Sequence, residues 1–462
     1  MHRHGVAPAA HRRRDARVKY LFVHQNFPGQ YLYIIRHLIK NPANEVVFIT
    51  EPNKNVIGGV RRLNYQVQPP LQDTTHTLIR DLNVAMFRAE YVARVATNLK
   101  RLGFVPDIII GHHGWGELLN LTDIWPNAPI LGYFEFFYAT VGQDVGFDAE
   151  FPTVEDQFPR IRAMNAVNLL ALSLNQHGQT PTVWQRSLYP GWAQPKIRLL
   201  PEGVHLDLCK PDPKANTRPL TVNTFTIAPT DRLVTYVARN LEPYRGFHTM
   251  MRTLPELLRA RPDVKVVMLG GDDVSYGARL ANSSWREHFQ RELAGKYDAT
   301  RVLMPGQVPY DVHIKLLQRS NAHVYLTYPF VPSWSLREAL ACGCPIIGAD
   351  VEPVREFITD GRTGLLTPCL DPKRLSERIL ELLEDDKLSK RIRAGARKYA
   401  EEHLDMDKHI AAYEAIIAEL TGKQLTGKQL TGKELAGKSP ARPSQPASPV
   451  TPRRRAAAKA AP

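Results

Sequence analysis

Short apolar runs alternate along most of the chain with stretches in which apolar residues recur every third or fourth position. Residues 18–23 predict a strand, 24–30 a turn, and 31–39 a helix. Further strands are expected at 46–49, 107–110 and 129–133. A long amphipathic helix is expected over 74–102, with Leu78, Leu82, Ala85, Ala89 and Val92 near one stripe. Continuous apolar strands alternating with helices point to parallel sheets covered on both faces.

The pattern restarts after residue 200. Strands are predicted at 233–238, 264–269, 302–304, 324–327 and 345–347, and helices at 247–260, 310–319 and 335–342. Helical segments near 372–385 and 387–418 close the folded part. The expected fold class is therefore α/β, with two Rossmann-like lobes facing each other across a cleft at the strand C-terminal ends. The expected divisions are a basic leader (1–17), an N-terminal lobe (18–200), a C-terminal lobe (201–385), terminal helices (386–419) and a disordered basic tail (420–462). That tail opens on a five-residue repeat, Leu-Thr-Gly-Lys-Gln, and continues in Ser, Pro, Ala and Arg. Such a composition cannot bury a core.

Charge alters this picture little once it is located. The net charge of +14 lies at the ends. Residues 1–17 carry five Arg against Asp15, and 420–462 carry five Lys and four Arg against Glu434. The body between them is almost neutral, which argues against a folded nucleic-acid binder. A weak contact between 420–462 and an anionic membrane surface is one reading of the tail; a solvated tail is the other. No apolar run approaches the roughly 20 residues that a membrane span needs. Four Cys are too few and too clustered for a disulfide framework, so reduced thiols and a cytoplasmic setting, with or without peripheral attachment at the inner face of the plasma membrane, are expected.

Candidate chemistry concentrates in two blocks. Arg239-Asn240-Leu241-Glu242-Pro243-Tyr244-Arg245-Gly246 spans a strand-to-helix loop that faces the crevice of an open sheet. Two permanent cations and a helix start suit a diphosphate there, and a solvated basic turn is the plainer alternative. The second block contains Ser333, Ser335, Leu336 and Glu338. Either serine can cap the opening helix. Glu338, one turn in, can accept from sugar hydroxyls or serve only the helix dipole.

Together these blocks resemble the retaining glycosyltransferases of family 4, which have the GT-B fold. Arg239, Arg245 and Gly246 stand where that family has Arg and Lys-Gly, with a spacer one residue longer. Glu338-Ala339-Leu340-Ala341-Cys342-Gly343-Cys344-Pro345 is similar to the family's Glu-Ala-Met-Ala-x-Gly-x-Pro run. Glu356 and 360–366 match its downstream segments, and Pro201-Glu202-Gly203-Val204-His205 resembles its junction between lobes. Two departures stand out. Phe330 replaces the first glutamate of the family's pair, and Glu135 occupies a position where many relatives have His.

The resemblance implies a retaining hexosyltransferase that uses a nucleotide-diphosphate sugar, with no metal and no cofactor, and a glycan or lipid-linked acceptor. Its place would be surface polysaccharide or glycoconjugate biosynthesis. Arg239, Arg245, Gly246, Ser333, Ser335, Leu336 and Glu338 would then serve the donor. Gly29, Gln30 and Glu117 would serve the acceptor, and Glu135 and His113 the anomeric centre; His113 as a hydrogen-bonded strand-end residue is the alternative. An inactive nucleotide- or glycan-binding protein of the same fold is the competing reading, motivated by Phe330 and Glu135. A nicotinamide oxidoreductase is disfavoured because no Gly-x-Gly-x-x-Gly follows the first strand. Asp405-Met406-Asp407 falls in a terminal helix rather than at a strand end, which argues against a metal-dependent GT-A enzyme.

Overall fold

The computed structural model describes residues 17–68, 75–153, 155–174 and 176–423. The leader up to residue 16 and the tail from 424 lie outside the described residues. Seven parallel strands form the first sheet: β1 (Lys19–Val23), β2 (Glu45–Thr50), β3 (Val60–Asn64), β4 (Ile108–His112), β5 (Ile130–Tyr133), β6 (His177–Thr180) and β7 (Ile197–Leu199). Their spatial order is β3-β2-β1-β4-β5-β6-β7. A small hairpin, β8 (Leu220–Val222) and β9 (Phe225–Ile227), precedes the second sheet. That sheet contains β10 (Arg232–Asn240), β11 (Val264–Gly271), β12 (Val302–Gly306), β13 (Ala322–Tyr325), β14 (Ile346–Ala349) and β15 (Leu365–Thr367), in the order β12-β11-β10-β13-β14-β15. All pairings within both large sheets are parallel.

In each sheet the order reverses beside its first strand, between β1 and β4 and between β10 and β13. Loops that leave neighbouring strands in opposite directions there open a crevice, the place where open α/β sheets take their ligands. The central strands are buried on both faces, as their unbroken apolar sequences require.

Two expectations about elements are corrected. The helix expected over 74–102 is a short 3-10 turn at Thr77–Ile79 followed by the helix Arg80–Arg101. The single helix expected over 387–418 is two, Asp386–His403 and Met406–Thr421. Asp405 divides them because its carboxylate caps the second, accepting from the N–H groups of Asp407 and Lys408. That last helix returns to the N-lobe, where Ile410, Tyr413 and Ile417 join the core beneath β1 and β4. Tyr413 accepts from Gln179 Nε2 at 2.8 Å. All four cysteines are reduced and fully buried. Among the described residues, no helix is long and apolar enough to cross a membrane.

Burial pushes the imidazoles of His24, His113 and His323 from 6.5 down to about 3. Between those two values the unfolded chain binds more protons than the native one. The stability these neutral rings confer is therefore complete above pH 6.5 and is lost as pH falls toward 3, at up to about 1.4 kcal/mol per pH unit for each ring. Urea midpoints should drop steadily from pH 7 to pH 5. A flat midpoint over that interval would contradict neutral burial of these rings.

Candidate functional site

The loop after β10 places its two arginines differently. Arg239 is the penultimate residue of the strand, half-buried and within electrostatic reach of Asp273 and Tyr276. Arg245 is buried, at the end of the 3-10 turn Pro243–Arg245. Its Nη1 donates to Thr327 Oγ1 at 2.8 Å and to the Val331 carbonyl at 3.2 Å. Its Nε and Nη2 have no hydrogen-bond partner among the described residues. The guanidinium lies 5.2 Å from the Tyr276 ring centre and 5.7 Å from that of Phe330, so aromatic faces hold a cation that has donors to spare.

Glu242, which sequence reasoning passed over, is what shapes this loop. Its fully buried carboxylate accepts from the backbone N–H groups of Ser275 and Gly277 at 3.0 Å and of Tyr276 at 3.3 Å. Burial raises its pKa and those three N–H groups oppose the rise. The turn after β11 is thereby fastened to the loop after β10, with Tyr276 set beside Arg245.

Phe330 sits at the boundary between lobes. Its ring is 4.6 Å from Tyr276 and 4.6 Å from Phe136, which follows β5 in the N-lobe. Arg245 is therefore at the gap between the lobes and not out in solvent.

The helix Trp334–Ala341 begins at Ser333, but neither serine caps it with its side chain. The two hydroxyls instead bond each other at 2.7 Å, and the Ser333 N–H donates to Tyr325 Oη at 2.8 Å. Leu336 is buried and its N–H donates to the Ser333 carbonyl at 3.3 Å. The N-terminus of this helix is thus already partly satisfied from within. Glu338 lines a small pocket of about 40 Å³ between the lobes, with Tyr310 and Trp334 from the C-lobe, Gln30 and Tyr33 from the N-lobe, and Glu202 and His205 from the junction. His313 Nε2 fixes the Glu338 carboxylate at 2.9 Å.

Glu202 is a second residue the sequence did not single out for chemistry. It accepts from Tyr133 Oη at 3.3 Å on the N-lobe side, and from Trp334 Nε1 at 3.0 Å on the C-lobe side. The buried Arg337 guanidinium lies 3.2 Å from its Oε2. A carboxylate in the interlobe junction thus joins both lobes. Glu356 does likewise, accepting from the N–H groups of Val183 and Trp184 at 2.8 and 3.0 Å.

On the N-lobe side the expectation for His113 is corrected. His113 opens a 3-10 turn and folds back beneath the sheet, with both ring nitrogens buried and unpartnered. Its ring fills the space left open by Gly132, where an added Cβ would lie 2.0 Å from Cδ2. It packs 4.5 Å from Phe134. The residue that meets Glu135 is His112, the last of β4, with Nε2 3.3 Å from Glu135 Oε2. Gly114 N–H donates to its Nδ1 at 2.9 Å, which leaves the proton on Nε2 to be donated to Glu135. Glu135 keeps about a third of its side chain exposed and is within electrostatic reach of Tyr276 across the gap.

Glu117 is wholly buried, with Oε1 accepting from Tyr65 Oη at 2.9 Å and Oε2 unpartnered. Burial raises its pKa, and nearby Arg88 counteracts this. It is sealed inside the N-lobe and has no surface to offer a ligand, which corrects the acceptor contact expected of it. Gly29 adopts φ +57°, above the imidazole of His24, in the turn that brings Gln30 to the pocket.

Two parallel sheets thus meet at their carboxyl ends, with guanidinium groups on one side of the gap and a His–carboxylate pair on the other. This is the GT-B architecture. The model of the glycosyl transferase family 4 group matches residues 42–209, and that of the glycosyl transferases group 1 matches 222–399. The phosphatidyl-myo-inositol mannosyltransferase of Mycolicibacterium smegmatis is 30% identical over 34% of this chain and 37% of its own length. The chain spans between a third and about half the length of the first curated relatives it matches. Among solved structures, sucrose-phosphate synthase from Thermosynechococcus elongatus superposes with a TM-score of 0.65 at 16% identity, covering 88% of this chain and 99% of that one. Anabaena HepE in complex with UDP and glucose gives 0.62 at 16% identity, covering 87% and 99%. Glycosyltransferase family models thus match both lobes, and the chain is of the family 4 type with the GT-B fold.

Proposed function

We propose that the protein is a retaining glycosyltransferase that moves a sugar from a nucleotide-diphosphate donor to a glycan or lipid-linked acceptor in the assembly of a surface polysaccharide or glycoconjugate. The observation that carries this reading is the placing of Arg239 and Arg245 at the end of β10, opposite the His112–Glu135 pair. As the bond between the anomeric carbon and the diphosphate breaks, its electron pair stays on the phosphate oxygen. Cations already in position stabilise that growing charge more than they stabilise the bound donor. The carboxylate of Glu135, oriented by His112, suits the positive character left on the sugar. The acceptor hydroxyl then bonds the anomeric carbon on the face the diphosphate leaves, and its proton passes to the departing phosphate. The UDP and glucose held by the structurally similar HepE support a nucleotide sugar as donor.

Titration calorimetry with UDP, GDP and ADP, followed by transfer assays with the sugar of whichever binds, tests the reading. No binding and no transfer across that panel would end it; binding without transfer would favour a protein that only holds the nucleotide. The two adjacent histidines give a sharper check. His112→Ala should lower kcat/KM more than tenfold and leave the melting temperature nearly unchanged. His113→Ala should destabilise the fold by about 2–4 kcal/mol through the cavity it leaves. The reverse pattern would mean that the wrong histidine faces the gap.

A further inference from the structure

We infer that the excursion over residues 139–151 is an interlobe latch that positions the loop carrying Arg245, with Asp144 and Asp148 as its positioning residues. This segment follows β5 and belongs to the N-lobe by connectivity, yet its acidic side chains all bond the C-lobe. Asp144 Oδ2 accepts from Tyr244 Oη at 2.7 Å, one residue before Arg245. Asp148 Oδ2 accepts from Tyr328 Oη at 2.6 Å and lies 3.1 Å from His248 Nε2. Glu150 receives both Nη groups of Arg252, at 2.6 and 2.7 Å. Phe147 packs 5.1 Å from Tyr328, and Phe151 packs 5.5 Å from His248 and 5.2 Å from Trp285.

The latched elements are those beside the gap. Tyr244 touches Tyr276, Tyr328 and Phe330, with ring centres 5.0–5.2 Å apart. Tyr276 and Phe330 are the rings that flank the Arg245 guanidinium. Withdrawing Asp144 therefore frees the ring that sets both walls around that cation. The contact combines polar and charge-paired groups with two packed phenylalanines, and interdomain surfaces of this mixed kind ordinarily permit relative motion of the domains. Gly142 and Gly146, both at positive φ, bracket Asp144 and allow the chain to turn there.

Asp148, Glu150 and His248 lie close enough together to suggest a cation site. Their bonding says otherwise. Asp148 Oδ2 is already engaged by Tyr328 and His248, and the Glu150 carboxylate by Arg252, which also bonds Glu292 at 2.7 Å. They are the two halves of a clasp.

The latch rests on the donor-loop reading only for its purpose, and the test separates the two. Tyr244→Phe and Asp148→Asn would each be made in the full chain, with melting temperature as the check on folding. Hydrogen exchange of peptides covering 242–250 and 139–151 reports the latch directly. Exchange in both should quicken at least tenfold in each variant, and UDP or GDP, whichever the wild type binds, should bind five- to twentyfold more weakly. Donor KM should rise more than kcat falls. Unchanged exchange in both folded variants would overturn the latch. Faster exchange with unaltered nucleotide affinity would uphold the latch as a structural clasp and overturn its role in positioning the donor loop.

Discussion

Arg245→Ala should reduce kcat/KM for the nucleotide-sugar donor by roughly 100- to 1,000-fold, the scale on which one preorganised charge-stabilising donor acts, about 3–4 kcal/mol. The loss should appear in kcat as well as KM, because charge on the diphosphate grows as the glycosidic bond breaks. Arg245 also donates to Thr327 and the Val331 carbonyl, so an alanine could disturb the loop as well as remove the charge. Arg245→Lys separates these effects. It keeps a cation but loses the planar fork that bonds Thr327 and Val331 through one nitrogen and leaves the others free. Kinetics intermediate between wild type and alanine, with melting temperatures within a few degrees of each other, would fit a charge that acts on the donor. Full activity in the alanine variant would remove the guanidinium from the reaction altogether.

Much of this framework is readable in the chain. The runs that become β1, β4, β5, β10, β11, β13 and β14 are apolar because both faces of each strand are covered, and their positions follow from that alone. The outer strands are a different matter. β3 is Val-Arg-Arg-Leu-Asn and β6 is His-Gly-Gln-Thr, sequences with no intrinsic strand signal that pair only because a neighbouring edge is available. At the site, the two arginines of the loop after β10 stood out by residue type and spacing, while the rings that hold Arg245 did not. The choice between His112 and His113 was not, since it turns on which residue is last in the strand and which folds under it. Gly132 was the available hint, a residue without a side chain opposite a ring that needs room. Glu242, Glu202 and the 139–151 clasp escaped notice because their partners lie 33 to 180 positions away in the chain. Only the fold brings such pairs together.

Gly246 shows the same mixture of motif and geometry. Its place in the Arg-Gly pair invites a role in holding phosphate by its backbone, yet sterics alone require glycine there. Its φ is +69°, a conformation that costs an ordinary residue about 1–2 kcal/mol. A Cβ would lie 2.4 Å from Leu326 Cβ, an atom next to the backbone that cannot swing aside. Overpacking of that kind costs about 1–3 kcal/mol more. Gly246→Ala should therefore destabilise the protein by roughly 2–5 kcal/mol in urea unfolding, before any effect on donor binding is counted. Because Leu326 directly precedes Thr327, which accepts from Arg245, the strain should also displace the guanidinium and raise donor KM. A fully stable alanine variant with impaired activity would transfer the residue's importance from packing to the ligand. A variant as stable and as active as wild type would mean that the loop does not hold this conformation.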